Sequence, residues 1–198
     1  PDMVHDVLGH LPMLFSPEFR RYLKQLANVM VHAVPNDLDQ EWYEAVRQVA
    51  ELKSECASPF VAIAAAEARV DRANHALADS ASEVTALRRL YVWSIEFGLL
   101  GDPGNFRAHG AALLSSPTEF RAVYTGNSRT LPYSLQALRH ENAFSEVLTQ
   151  YFVAHDFSRY VDVLSEYEAT MQHQRPTRVD GEARLGVPVA AKGGLGRA

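Results

Sequence analysis

The 198-residue chain has a single cysteine, Cys56, which rules out an internal disulfide. That usage fits a reducing, cytoplasmic setting, with Cys56 read as a small hydrophobe in a helix. No run of Lys and Arg is long enough to follow a phosphate backbone, and the formal net charge of -5 argues further against a nucleic-acid role. The longest apolar stretch, Phe60 to Ala66, is far short of the ~20 residues that a bilayer span needs. Pro1-Asp2-Met3 has neither the basic start nor the apolar segment of a signal peptide. β-Branched alternation is scarce as well, which leaves few strand signals.

What is present is 47% hydrophobic residues, enough for one sizeable core or a core with an appendage. Long stretches of Ala, Leu, Glu, Arg and Gln predict a mainly α fold. Asp2 is placed to cap a first helix running toward Gly9, where glycine favours a stop or a bend. Ser16-Pro17-Glu18 opens a second helix, with Phe19, Tyr22, Leu23, Leu26 and Met30 on its apolar face. After a break at 34–37, a third helix is expected from about Leu38 to Glu55, with Trp42, Ala45, Val46, Val49 and Leu52 on one stripe.

Ser58-Pro59 interrupts again, and the stretch from Phe60 to Leu100 reads either as one long helix or as two broken near Asp79 to Glu83, with Ser80 or Ser82 as cap. Gly101-Asp102-Pro103-Gly104 is a turn. Ser115-Ser116-Pro117 starts another helix, and further helices are expected over Leu135 to Tyr151 and Ser158 to Gln172. The Gly-, Pro- and Ala-rich residues 175–198 lack periodicity and read as a disordered tail.

His5-Asp6-Val7-Leu8-Gly9-His10 is the chemically loaded segment. On a straight α-helix, residues five apart are separated by roughly 140° around the axis, so His5 and His10 converge only where the helix ends or distorts. The spacing weakens a zinc-protease reading, which wants His-Glu-x-x-His on one helical face. The paired Glu-x-x-His motifs of di-iron bundles do not occur. Glu96 lies in the apolar run Val92-Trp93-Ser94-Ile95-Glu96-Phe97-Gly98. Buried there, its carboxylate costs several kcal/mol, about what a cation or metal must offset. Two imidazoles and one carboxylate are the facial ligand set of ferrous oxygenases.

Four blocks of the chain resemble one family. Pro1-Asp2-Met3-Val4-His5-Asp6-Val7-Leu8-Gly9-His10 is similar to the Pro-Asp-x-x-His-Glu-x-x-Gly-His signature of the biopterin-dependent aromatic amino acid hydroxylases. Tyr91 to Leu99 resembles the block carrying that family's third iron ligand, Ala108 to Ser116 resembles Tyr-Gly-Ala-Gly-Leu-Leu-Ser-Ser, and Tyr151 to Phe157 resembles Tyr-Tyr-Val-Ala-Glu-Ser-Phe. The resemblance implies a hydroxylase-like catalytic domain, incomplete at the N-terminus, over residues 1–174. It implies Fe(2+) held by His5, His10 and Glu96, and tetrahydrobiopterin or another reduced pterin near Asp6 and Tyr91. It also implies an aromatic amino acid, of phenylalanine type, bound with O2 beside Pro1, Phe97 and Ser115.

The chain departs from the family at Asp6 (Glu), Val92 (aromatic), Ala112 (Gly) and His109 (Tyr). The separation from His10 to Glu96 exceeds the family pattern, and the surplus is expected over residues 37–88 as an inserted helical hairpin, a candidate oligomer interface. The family's upstream half has no counterpart here. Other readings are an altered or inactive helical homologue acting as an oligomerisation or partner module, and a zinc hydrolase using the same triad.

Overall fold

The computed structural model describes residues 2–55, 57–140 and 147–171. Pro1, Cys56 and the 175–198 tail lie outside the described residues. α1 (Asp2–Val4), a π-helical turn (His5–His10) and α2 (Leu11–Met13) follow one another as a single continuous helix. The helix expected to stop or bend at Gly9 instead unwinds locally into a π-turn and runs through it.

α3 (Pro17–Met30) starts where its signals place it, with Ser16 Oγ accepting from the Phe19 N–H at 3.2 Å and Pro17 in the first turn. Its buried face is Phe19, Tyr22, Leu26 and Val29; Val29, not Met30, completes the stripe. α4 (Asp37–Ser54) opens on a reciprocal capping box between Asn36 and Asp39. α5 (Phe60–Asp79) returns antiparallel to it, held by Lys53–Glu67 at 2.8 Å and Arg69–Gln48 at 3.1 Å. The break after Asp79 is real: Ser82 Oγ accepts from the Thr85 N–H and caps α6 (Glu83–Tyr91), which continues into a second π-turn, Val92–Glu96.

β1 (Leu99–Asp102) and β2 (Asn105–Ala108) form an antiparallel hairpin. Its tight return uses Gly104 at φ +87°, a conformation that side chains disfavour. α7 (Ala111–Ser115) and α8 (Pro117–Tyr124) follow, and Ser116 caps α8. β3 (Arg129–Pro132), a 3-10 turn (Leu135–Arg139), β4 (Gln150–Ala154) and α9 (Phe157–Glu168) complete the chain.

The sheet order is β2–β1–β4–β3, with β4 parallel to both neighbours. The helix expected up to Tyr151 is therefore corrected: its start is the 3-10 turn, residues 141–146 lie outside the described residues, and its end is a strand. Tyr151, Phe152, Val153 and Ala154 are all buried, as central parallel strands covered on both faces are.

The core ties the second π-turn to its surroundings. Trp93 meets Phe152 edge-on at 5.2 Å, and Tyr133 meets Tyr160 edge-on at 4.7 Å, geometries worth about 0.5–1.5 kcal/mol each beyond burial. Tyr22 of α3 hydrogen-bonds Ser94 at 2.8 Å, and Ser94 in turn donates to Leu90 O.

His109 occupies an aromatic box of Phe19, Phe157 and Tyr160. Its Nε2–H donates to the Tyr160 hydroxyl at 3.1 Å, which donates to Leu99 O, and its Nδ1 has no partner among the described residues. Burial pushes this imidazole down to about 4 from 6.5. The folded state thus keeps it neutral while the unfolded chain takes up a proton. Its stabilising contribution is complete above pH 6.5 and is lost as pH falls toward 4, on the order of 3 kcal/mol across that window. Urea unfolding at pH 7 and pH 4.5 is expected to show a steeper loss for the wild type than for His109→Gln. Equal slopes would remove His109 from the acid response.

Candidate metal centre

Three donors converge from two π-turns. His5 and His10 stand on the first, where i→i+5 hydrogen bonding stacks residues five apart on one face. Glu96 ends the second, whose closing bond runs from the Phe97 N–H to Val92 O at 2.9 Å. His5 Nε2 lies 3.0 Å from His10 Nε2, and each imidazole has its Nε2 3.4 Å from a Glu96 carboxylate oxygen. Among the described residues these are the only His, Cys, Asp and Glu side chains grouped to hold a metal ion, all ligand atoms lying within 4.8 Å of one another.

The donor chemistry fits a divalent cation. Ligands about 2.1 Å from a metal at right angles stand about 3.0 Å apart, and tetrahedral ones about 3.4 Å. The separation of 3.0 Å between the imidazoles and of 3.4 Å from each imidazole to a different Glu96 oxygen spans that interval. The His5 tautomer fits too. Ser115 gives its single hydroxyl proton to Ala111 O at 2.8 Å, so its oxygen accepts from His5 Nδ1–H at 3.1 Å. His5 Nε2 is left with its lone pair facing the other two donors, the usual arrangement for a metal-ligating imidazole.

Tyr91, five residues before Glu96 across the second π-turn, donates to Glu96 Oε1 at 2.7 Å. Burial first, and the neighbouring carboxylate second, push the Tyr91 phenol well above its ordinary range, so it stays a donor. Gly110 packs against the backbone at the same place. A β-carbon on it would stand 2.4 Å from Glu96 O and 2.3 Å from Gly98 N. The side chains of His5, His10 and Glu96 keep 29%, 28% and 15% of their exposure, so the site is anchored on one side and open on the other.

The residues singled out in the sequence distribute as follows. His5, His10, Glu96 and Ser115 come together. Tyr91, expected beside a pterin, has its hydroxyl on Glu96. Phe97 is partly buried, its ring 6.2 Å from both Trp93 and Tyr151. Asp6 is exposed on the first π-turn, and Pro1 lies outside the described residues. Sequence reasoning missed the Tyr91–Glu96 bond; the five-residue spacing that flagged the histidines recurs there and was its available signal.

Ser115→Ala is expected to lower the affinity for Co(II), read by calorimetric titration, by about 10–100-fold, because the outer hydrogen bond sets the ring's tautomer and aim. An unchanged affinity would show that His5 is oriented without it.

A family model described as biopterin-dependent aromatic amino acid hydroxylase matches residues 65–184. Tryptophan 5-hydroxylase of Xenopus laevis is 22% identical over 87% of this chain and 26% of its own length. A probable aromatic amino acid hydroxylase of Chlamydia pneumoniae is 25% identical over 85% of this chain and 38% of its own. The crystal structure of Chromobacterium violaceum phenylalanine hydroxylase with bound oxidized Fe(III) superposes with a TM-score of 0.55 at 22% identity, covering 83% of this chain and 44% of that one. This chain therefore spans less than half the length of these relatives. The solved structure shares the mainly α fold around a small sheet, and the family match extends over more than half of the residues. On that ground the chain belongs to the biopterin-dependent aromatic amino acid hydroxylase family.

Proposed function

We propose that this chain carries the iron site of a pterin-dependent monooxygenase that hydroxylates the ring of an aromatic amino acid. The observation that supports it best is the convergence of His5 Nε2, His10 Nε2 and Glu96 within 4.8 Å, with Ser115 committing His5 to the ligating tautomer. Ferrous iron bound there, with a reduced pterin, supplies the activation of molecular oxygen that ring hydroxylation needs.

The chain's own residues do the holding and the aiming. His5, His10 and Glu96 provide three ligands on one side and leave the exposed side for substrates. Tyr91 keeps its proton and donates to Glu96 Oε1, which leaves Oε2 as the freer ligand atom. Phe97, between Trp93 and Tyr151, offers an aromatic wall suited to an apolar ring of phenylalanine type. Asp6, exposed on the helix of the two histidines, is the carboxylate available to a pterin.

Anaerobic titration with Fe(II) followed by addition of tetrahydrobiopterin, O2 and phenylalanine, tyrosine or tryptophan tests the reading. Ring-hydroxylated product, with phenylalanine turned over best, is the expected result. Stoichiometric iron uptake with no hydroxylated product from any of the three overturns the activity.

That second outcome would favour an altered homologue acting as an oligomerisation or partner module. Its motivating observation is the apolar hairpin tip, where Phe60 is 84% exposed. Sedimentation equilibrium of Phe60→Ser checks it, and an unchanged mass would argue against assembly through the tip. No helix among the described residues is long and apolar enough to cross a membrane.

A further inference from the structure

The hairpin of α4 and α5 is fastened to a helix that ends in a ligand. α6 runs without interruption into the π-turn of Glu96, and its successive turns are gripped by residues before, within and after the hairpin. Glu83 Oε2 accepts from the Val34 N–H at 2.9 Å. Thr85 Oγ1 donates to Asp39 Oδ1 at 2.6 Å. The Arg88 guanidinium lies over the Trp42 ring, 4.0 Å from its centroid. Arg89, buried, donates through Nη2 to Leu77 O at 3.2 Å in the last turn of α5, and through Nη1 to Leu138 O at 2.7 Å in the 3-10 turn. A cation donating to carbonyls at helix C-termini is where the helix dipole favours it. From Arg88 to Glu96 is eight residues, or roughly 12 Å along a helical rod, with Tyr91 bonded to Glu96 in the last turn.

Such a rod has two mechanical settings to specify, its axial position and its rotation. The Arg89 bonds resist sliding, because Leu77 O and Leu138 O belong to different elements. The Trp42–Arg88 stack resists rotation, because it holds one face of α6 against α4. Rotating or sliding α6 would carry the Glu96 carboxylate away from the two imidazoles, which are held separately on the first π-turn. We propose that the 37–79 hairpin is a positioning element for the metal site: through Trp42–Arg88 and Arg89–Leu77 it sets where Glu96 stands relative to His5 and His10. The inference rests on the triad being the metal site.

Binding and spectra of the bound metal test it. Co(II) titration of the wild type comes first; no uptake would overturn the metal reading itself, and this proposal with it. Given uptake, Trp42→Ala and Arg89→Met are expected to weaken Co(II) binding about 3–10-fold and to change its ligand-field absorption at saturating metal. Trp42→Phe should keep the wild-type spectrum. Trp42→Phe is a clean control because the Trp42 indole nitrogen has no hydrogen-bond partner among the described residues. Arg88→Gln removes the stack while keeping a good helix former, and gives the same reading should Trp42→Ala fail to fold. Phe60→Ser at the hairpin tip should leave both measurements unchanged. Root variants that lower the unfolding temperature while binding Co(II) with wild-type affinity and spectrum would reduce the hairpin to a stabilising appendage and overturn the proposal.

Discussion

Glu96→Ala is expected to lower Fe(II) or Co(II) affinity by at least about 10³-fold, more than the roughly 10–100-fold that follows loss of an outer hydrogen bond. Two imidazole ligands alone offer no negative charge to offset the dehydration of a divalent cation; among the described residues the Glu96 carboxylate is the anion within reach of both Nε2 atoms. Glu96→Gln separates the two contributions. It keeps the shape and one carbonyl oxygen, loses the charge, and should fall between wild type and alanine. The same substitutions should not unfold the protein. Glu96 is partly exposed and the packing of its turn comes from Trp93, Ser94 and Ile95, all buried beside it. Removing the carboxylate also frees the Tyr91 hydroxyl to meet water at the open side of the site. Unfolding temperature without metal should therefore stay within a few degrees of wild type, while the shift produced by adding metal disappears. If Glu96→Ala kept the metal-induced shift, the ion would be held elsewhere and the triad would not be the site.

The parts of this arrangement legible in the sequence are those written in local chemistry. Ser16 before Pro17 and Ser82 before Thr85 cap their helices as their side chains dictate. The three ligand residues were identifiable because a lone carboxylate in an apolar run and a histidine pair at an awkward spacing explain one another. The π-winding was not legible. An extra residue per turn is unfavourable in isolation and is held by what packs on it, here α7 against the first π-turn, and Tyr22 on Ser94 in the second. The sheet was hidden for a related reason. Its strands are four or five residues long, and β4 pairs with β1 about fifty residues away in sequence. In such a strand a continuous apolar run such as Tyr151-Phe152-Val153-Ala154 has no alternation to distinguish it from buried helix.

Gly9→Ala is expected to damage the metal site without altering any ligand. In an ordinary helix the change stabilises by about 0.5–1 kcal/mol, because glycine gives up more backbone freedom on folding. Here the added β-carbon would stand 2.5 Å from Ala111 Cβ and 2.6 Å from Ala111 Cα, where carbon–carbon contacts belong at about 3.5–4.0 Å. The obstructing atoms are backbone and the first side-chain carbon of α7, so no rotamer change relieves the overlap. The first π-turn must back away from α7 by about 1 Å, and overpacking of that kind costs about 1–3 kcal/mol. The clash outweighs the propensity gain, and the net effect is destabilising. The same displacement has a functional consequence, since Ala111 O anchors the Ser115 hydroxyl that fixes His5, and Ser115 closes α7 four residues on. Moving the turn off α7 lengthens the His5–Ser115 bond and detaches the imidazole from its orienting partner. Gly9→Ala should therefore lower both the unfolding temperature and Co(II) affinity. Leu8→Ala, beside it on the exposed side, should change neither appreciably. A Gly9→Ala protein with raised stability and intact metal binding would mean that α7 yields freely, and that the close packing of the two helices is not what holds His5 in place.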